Sequence, residues 1–90
     1  MAITHNSYYE GRVQSLGFTD GNGKDATVGV LEPGIYKFGR AERREIIIVL
    51  HGTIFAKGQI LAIHDTICFE VGEEVEVEVR ETAAYGCVYF

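Results

Sequence analysis

The sequence predicts an all-β domain, either a barrel or a sandwich. Most segments of the 90-residue chain alternate apolar and polar residues or are rich in β-branched residues, and 11 glycines divide them into short runs. No window of eleven residues carries the apolar stripe of an amphipathic helix. Many short strands separated by close turn signals are typical of antiparallel barrels and sandwiches. A chain of this length is expected to form a single domain, which we assign to residues 1–90.

The N-terminal half is expected to open with a loosely ordered segment over residues 1–6 and to continue into a β-hairpin. The predicted strands are 11–18 and 26–30, because residues 20–23 between them (Asp-Gly-Asn-Gly) tolerate positive φ. Pro33 and Gly34 predict a turn, with proline fixing φ and glycine supplying the left-handed position. A strand over 35–38 follows, and a polar connection then runs through residue 44.

The C-terminal half carries the clearest strand signals. Val75, Val77 and Val79 alternate with charged residues, which predicts one buried face and one solvated face. Turns are predicted around Gly52, Gly58 and Gly72. The strands predicted in this half are 45–51, 53–56, 60–64, 66–71, 75–80 and 83–90.

The strand over residues 45–51 is apolar on both faces, which predicts a homodimer. Ile47 and Val49 share one face with Glu45, whereas Ile46, Ile48 and Leu50 share the other. A strand that is apolar on both faces is usually buried on both. In a single barrel, the outer face is covered either by a second copy of the chain or by a terminal segment. We favour the second copy and keep the terminal segment as the alternative.

Composition and charge restrict the partners and the compartment. The net charge of −5 argues against a general nucleic-acid binder, because contacts with phosphates need a basic surface. The longest aliphatic run, residues 46–50, is far shorter than a membrane span, and no export signal is visible. We therefore expect a cytoplasmic protein without membrane partners. Cys68 and Cys87 are then expected to stay reduced and to pack in the core.

The segment from Gly34 to Gly52 resembles the first sequence motif of the cupins. In that motif a glycine is followed after five residues by His-x-His, then by a glutamate, six further residues and a second glycine. Here Arg40 and Glu42 occupy the histidine positions, while Glu45 and Gly52 keep the later spacing. The resemblance implies a single cupin domain, a jelly-roll β-barrel. Without the histidines we expect no metal and no other cofactor.

Three further blocks resemble the small, single-domain cupin family of bacterial pyrimidine/purine nucleoside phosphorylases. The blocks are Asn-Ser-Tyr-Tyr-Glu-Gly-Arg-Val-Gln-Ser-Leu-Gly-Phe at 6–18, Val-Gly-Val-Leu-Glu-Pro-Gly-Ile-Tyr-Lys-Phe at 28–38 and Tyr-Gly-Cys-Val-Tyr-Phe at 85–90. The chain departs from the family over 65–74, where a proline and small polar residues are lost, and the stretch 53–64 is too divergent for transfer of residue roles.

The resemblance implies a pentosyltransferase that uses phosphate as co-substrate. It would convert purine and pyrimidine nucleosides to the free base and ribose 1-phosphate. This chemistry needs a cationic phosphate site, a grip on the ribose hydroxyls and stabilisation of the departing base. A carboxylate would also help, because positive charge develops on the sugar in the transition state. The alternative is a non-catalytic small-molecule-binding cupin, or a family member that has lost activity.

Six residues are candidates for the site. The cupin frame aims Glu45 into the barrel mouth, although it could equally be an exposed charge at the start of a strand. A guanidinium can hold phosphate through two parallel hydrogen bonds, and the alternative for the arginines is a set of surface ion pairs. Aromatic walls suit a stacked base, but they also suit ordinary core packing. The candidates are Glu45 and Tyr36 as catalytic residues, and Arg40, Arg44, Tyr85 and Phe38 as substrate-binding residues.

The histidines do not have the spacing of a metal site. His51 precedes a turn glycine and His64 lies near the predicted end of a strand. A site made of these two histidines with Glu45 is possible in principle, but no motif spacing supports it.

Overall fold

The protein is all-β, as a computed structural model describing residues 2–20 and 25–90 shows. The described residues form ten strands, with one short 3-10 turn, Tyr9–Gly11, between the first two. The strands are β1 Ala2–Tyr8, β2 Val13–Thr19, β3 Asp25–Leu31, β4 Gly34–Arg40, β5 Glu45–His51, β6 Ile54–Ala56, β7 Gln59–Leu61, β8 Thr66–Phe69, β9 Glu74–Val79 and β10 Ala83–Tyr89. The all-β prediction is thus confirmed. The part of the chain that the structure describes contains no helix with the length and hydropathy of a membrane span.

The strands form two antiparallel sheets that enclose one core. The larger sheet has the order β1-β2-β3-β10-β5-β8, and the smaller has the order β4-β9-β6-β7. Val75, Val77 and Val79 are buried as predicted, while the glutamates between them on β9 are exposed or half-buried. Because side chains alternate along each strand, one face of each sheet supplies the core and the other faces outward.

The N-terminus differs from its prediction. Residues 1–6 were expected to be loosely ordered, but Ala2–Tyr8 is a strand whose seven residues pair with β2 from Ala2 opposite Thr19 to Tyr8 opposite Val13. The local sequence carries a weak strand signal, so the pairing is stabilised mainly by the neighbouring strand. Residues 21–23 of the predicted hairpin turn lie outside the described residues, although β2 and β3 do pair as predicted.

Two of the other predicted strands end two or three residues earlier in the structure. The strand predicted over 60–64 is β7, Gln59–Leu61, and it ends before His64, whose φ of 72° places it in a turn. In that turn the Ala62 amide donates to the Asp65 carboxylate at 2.9 Å. The strand predicted over 66–71 is β8, which ends at Phe69.

The two cysteines lie on opposite faces of the larger sheet. Cys87 is buried in the core, as predicted, but Cys68 is half-buried on the outer face, where it pairs in register with Ile46. The prediction that both thiols pack in the core is therefore wrong for Cys68, because alternation along β8 turns Ile67 and Phe69 inward instead. Both cysteines are free.

The two sheets meet at a seam between the edge strands β1 and β4. No β-ladder joins these strands. The Tyr9 hydroxyl bridges the seam instead, because it donates to the carbonyl of Lys37 and accepts from the amide of Lys37 at 2.9 Å. The ring of Phe38 adds edge contacts with Tyr8 and Tyr9. This seam forms part of the wall of the cavity described next.

Candidate functional site

The barrel contains a cavity of about 670 Å³ that is partly open to solvent. This volume lies in the range of sites for small molecules and cofactors. Its wall comes mainly from β1, β2, β3 and β10, and its mouth is formed by β4, by the loop 41–44 and by the start of β5. Of the six predicted site residues, Glu45, Arg40, Tyr85 and Phe38 line this cavity, whereas Tyr36 and Arg44 do not.

Glu45 is a half-buried carboxylate without a partner. It is the first residue of β5, opposite Tyr89 on β10 and Phe69 on β8, and strand alternation turns it to the same face as the buried Ile47. It accepts no hydrogen bond and forms no ion pair with the described residues. Burial alone raises the pKa of this carboxyl above its ordinary value. Functional carboxylates often combine such features.

Two arginines reach the mouth, and their guanidinium groups differ in how many contacts they already make. Arg43 forms an ion pair with Asp25, donates to the Phe90 carbonyl at 3.2 Å and lies 5.9 Å from the ring centroid of Tyr89. Arg40 donates from one guanidinium nitrogen to the Gly72 carbonyl at 2.8 Å, and its other terminal nitrogen lies 3.7 Å from Glu74. The Arg40 side chain is 70% exposed, so its guanidinium remains open to a ligand.

Tyr85 lies across the wall because the residue opposite it is a glycine. Gly29 pairs with Tyr85 across β3 and β10, and a Cβ at this glycine would lie 2.7 Å from the Tyr85 ring. Any other residue at position 29 would therefore push the ring into the cavity. Burial raises the pKa of the Tyr85 hydroxyl, while hydrogen bonding to Ser15 lowers it to a lesser degree. Tyr85 stays neutral near pH 7 and can both donate and accept.

Tyr36 is part of the core and does not line the cavity. Its side chain is fully buried, and its hydroxyl donates to the Glu32 carbonyl at 2.5 Å. Phe38, two residues further along β4, is 41% exposed and does line the cavity. The structure therefore does not place Tyr36, predicted as a catalytic residue, at this cavity, and the carbonyls of Glu32 and Pro33 just before β4 already bind its hydroxyl.

Arg44 points away from the cavity. Its guanidinium lies 3.2 Å from the Glu70 carboxylate and 3.5 Å from the sulfur of Cys68, on the outer face of β8. The structure therefore does not place Arg44, predicted as a substrate-binding residue, at this cavity. Its pKa is raised, first by the contact with Cys68 and then by the charge of Glu70.

The polar wall contributed by the first three strands was not predicted from the sequence. Its members are short polar side chains or glycine, and they share the inner face of the larger sheet: Thr4, Asn6, Ser15, Gly17 and Thr27. The Thr27 hydroxyl oxygen is buried in this wall and forms no hydrogen bond of good geometry with the described residues. It nevertheless lies near Tyr85 and Cys87 and partly offsets the rise in the pKa of both. A signal was present in the sequence, since Ser15, Gly17 and Thr27 alternate with the apolar Leu16, Phe18 and Val28.

No metal centre is formed by the residues described. Within 2–20 and 25–90, no group of three or more histidine, cysteine, aspartate or glutamate side chains is arranged to hold an ion. His51 and His64 are therefore not grouped with Glu45. Metal independence of the activity stays a prediction.

Comparison with known proteins gives one family over nearly the whole chain. Residues 3–89 match the family described as pyrimidine/purine nucleoside phosphorylase. A protein of that name from Vibrio campbellii is 37% identical, with 99% of each chain covered. One from Shewanella halifaxensis is 37% identical, with 93% of this chain and 95% of that protein covered.

Solved structures show the same fold. A protein of unknown function from Vibrio parahaemolyticus superposes with a TM-score of 0.87 at 32% identity, with both chains covered completely. A cupin-2 domain from Rhodospirillum rubrum has a TM-score of 0.74 at 15% identity, covering 97% of this chain and 68% of that one. The prediction of a cupin-type barrel is confirmed.

Proposed function

This chain belongs to the pyrimidine/purine nucleoside phosphorylase family, and on that premise we propose that it catalyses phosphorolysis of purine and pyrimidine nucleosides. A phosphate oxygen attacks C1′ of the ribose and the bond from C1′ to the base nitrogen breaks. The products are ribose 1-phosphate and the free base, which takes up a proton. The enzyme is then a pentosyltransferase with phosphate as its co-substrate, and it needs no metal or other cofactor.

The observation that carries this proposal is the presence of Glu45, Arg40 and Tyr85 around one cavity. As an anion, Glu45 would stabilise the positive charge that develops on the ribose and would accept hydrogen bonds from its hydroxyls. Because no described side chain neutralises it, its full charge is available to the sugar.

Arg40 is the proposed phosphate ligand. Arg43 also reaches the mouth, but Asp25 and the Phe90 carbonyl already occupy its guanidinium. Among the described residues, the Arg40 guanidinium donates one hydrogen bond, to the Gly72 carbonyl, and its ion-pair partner, the exposed Glu74 carboxylate, is 3.7 Å away. An exposed ion pair of this kind contributes little, so an incoming phosphate can displace Glu74 and form two charge-assisted hydrogen bonds.

Tyr85 and Phe38 are the proposed contacts for the base. The Tyr85 hydroxyl is neutral and half-buried, which suits it to hydrogen bonding with a neutral heterocycle. Phe38 presents an exposed aromatic face at the seam.

One assay tests the function. The purified protein is incubated with a panel of nucleosides, with and without phosphate, and free base is measured by chromatography. Phosphate-dependent release of base is the expected result. Release that does not depend on phosphate indicates a hydrolase. If no base is released but calorimetry still detects nucleoside binding, the protein is the alternative, a non-catalytic binding cupin.

The phosphate role of Arg40 gives a sharper prediction. Arg40→Ala is expected to lower kcat/KM for phosphate at least tenfold, about 1.4 kcal/mol of transition-state stabilisation. Arg44→Ala is the matched control, because it removes an arginine from the same segment that lies outside the cavity. Steady-state rates at varied phosphate measure both. Equal losses in the two variants would show that the effect is one of general charge rather than of binding.

We also propose that the protein is a cytoplasmic homodimer, as its free cysteines and its apolar outer face suggest. On the larger sheet, Leu16, Val28, Val30, Leu50 and Val88 are each at least 40% exposed on the face away from the cavity. Strand β1 lies at the edge of this sheet and not across it, so within the described residues no N-terminal segment covers the face. Contiguous apolar surface of this kind marks an interaction site.

The dimer prediction is tested by sedimentation. At micromolar concentration the particle should have about twice the chain mass of 10.0 kDa, and Val28→Lys should shift it toward the monomer because it places a charge at the centre of the face. A wild-type monomer under the same conditions would contradict the prediction.

A further inference from the structure

The inner face of the larger sheet changes character from the cavity mouth inward. Strand register arranges its residues in rows that run across the sheet. The row at the mouth is Thr19, Asp25, Tyr89 and Glu45. The next row inward is Thr4, Gly17, Thr27, Cys87 and Ile47, and the one below it is Asn6, Ser15, Gly29, Tyr85 and Val49. Only the mouth row contains charged residues, and Arg40 and Arg43 lie at the same end.

The two inner rows remain neutral over the working pH range. Burial raises the pKa of the Cys87 thiol to about 12, and it raises the pKa of the Tyr85 hydroxyl as well. The other polar groups of these rows are hydroxyls and one amide, and none of them ionises near neutral pH. A charged ligand group would lose its hydration in these rows without gaining a counter-ion.

From this arrangement we infer that the inner rows hold the nucleobase and that Gly17 sets the size of the base that fits. The inference rests on the proposed function and deepens it. The phosphate and ribose stay at the mouth with Arg40 and Glu45, and the neutral heterocycle lies further in. A bicyclic purine needs more room in these rows than a single pyrimidine ring.

Gly17 is the position where that room can be removed without distorting the backbone. A Cβ added there would lie 3.4 Å from the Asn6 amide nitrogen and 3.9 Å from the Thr27 methyl carbon, which are ordinary contacts. Gly29, in the next row, is different, because a Cβ there would collide with the Tyr85 ring at 2.7 Å. A side chain at position 17 therefore takes its volume from the cavity.

The test compares inosine with uridine in a graded series, Gly17→Ala and Gly17→Val. We expect kcat/KM for inosine to fall about tenfold more than kcat/KM for uridine in Gly17→Val, with a smaller shift of the same sign in Gly17→Ala. One added or missing methylene in a pocket changes discrimination by roughly 10–200-fold. Gly86→Ala is the matched control. It adds the same methyl group to the same sheet on the outer face, 3.2 Å from Ile48, and should leave the ratio unchanged.

The remaining outcomes separate this inference from the proposed function. Equal losses for both nucleosides, or an unchanged ratio in both variants, would overturn the role of Gly17 while leaving the phosphorylase intact. If Gly17→Val does not fold, Gly17→Ala alone decides the result. If the wild-type protein releases no base, the proposed function fails, and the same ratio is then measured as dissociation constants by calorimetry. Absence of binding of both nucleosides would overturn both proposals.

Discussion

Replacing Glu45 with glutamine is expected to lower kcat for phosphorolysis at least tenfold, which corresponds to about 1.4 kcal/mol. The substitution keeps the shape of the side chain and removes the negative charge that faces the ribose, while the substrate contacts of Arg40 and Tyr85 remain. The loss should therefore appear in kcat more than in KM. Glu76→Gln is the matched control, because Glu76 lies on the exposed face of β9 and pairs with Lys37 away from the cavity. A Glu45→Gln enzyme with wild-type kcat would remove Glu45 from the mechanism.

The pH profile adds an independent test of Glu45. The charged form is the active one, and burial raises the pKa of this carboxyl. Activity should therefore decline on acidification at a higher pH than an exposed glutamate would give. In Glu45→Gln the residual activity should lack this acid limb. If both enzymes show the same acid limb, another group controls it.

Glu45→Gln is expected to lower the activity but to raise the stability of the fold. Because the folded-state pKa lies above the ordinary value, the folded protein binds more protons than the unfolded chain between the two values, and the free energy of unfolding falls as pH rises through that window. At neutral pH the buried charge thus destabilises the fold. Glu45→Gln should have a higher Tm than the wild type at pH 7, and the difference should disappear below the ordinary glutamate pKa.

The largest loss of stability is expected from Phe69→Ala. The Phe69 ring is fully buried, and the Lys57 ammonium lies 4.6 Å from its centroid. Truncation of a buried phenylalanine costs about 3–5 kcal/mol, a large share of the roughly 5–15 kcal/mol that stabilises a typical domain. Urea unfolding measures the change. Ile60→Ala is the control, since Ile60 is 70% exposed and should change stability by less than about 0.5 kcal/mol. A loss below about 1 kcal/mol for Phe69→Ala would mean that the site collapses around the missing ring.

Much of the fold follows from residue alternation, because a period of two specifies both the strand and its buried face. Val75, Val77 and Val79 illustrate this: the pattern alone identified β9 and its inner face. The strand β1 could not be found this way. Its residues are mostly polar and exposed, and it is held by pairing with β2, which is a tertiary effect.

The candidate site was predictable where a residue lies on a regular strand and less so elsewhere. Glu45 begins such a strand, but both faces of that strand are apolar, so its inward direction was expected from the resemblance to the cupin motif and not from its neighbours. Arg40 and Arg44 lie at the ends of an irregular loop, where no periodicity indicates which guanidinium faces the cavity. Tyr36 and Tyr85 both sit on inner faces, and only the three-dimensional packing separates them. The Tyr36 hydroxyl meets a backbone carbonyl, whereas the glycine opposite Tyr85 lets its ring lie against the cavity wall.

The seam between β1 and β4 has a consequence for the kinetics of exchange with solvent. Opening it breaks the two hydrogen bonds of the Tyr9 hydroxyl and a few ring-edge contacts, whereas separating β1 from β2 breaks a ladder of seven residue pairs. Local openings of a protein range in free energy from almost zero up to that of global unfolding, and this seam lies at the low end. Because Tyr8 and Phe38 at the seam also line the cavity, such an opening would give a bound molecule a second way out, beside the mouth, while the barrel stays folded.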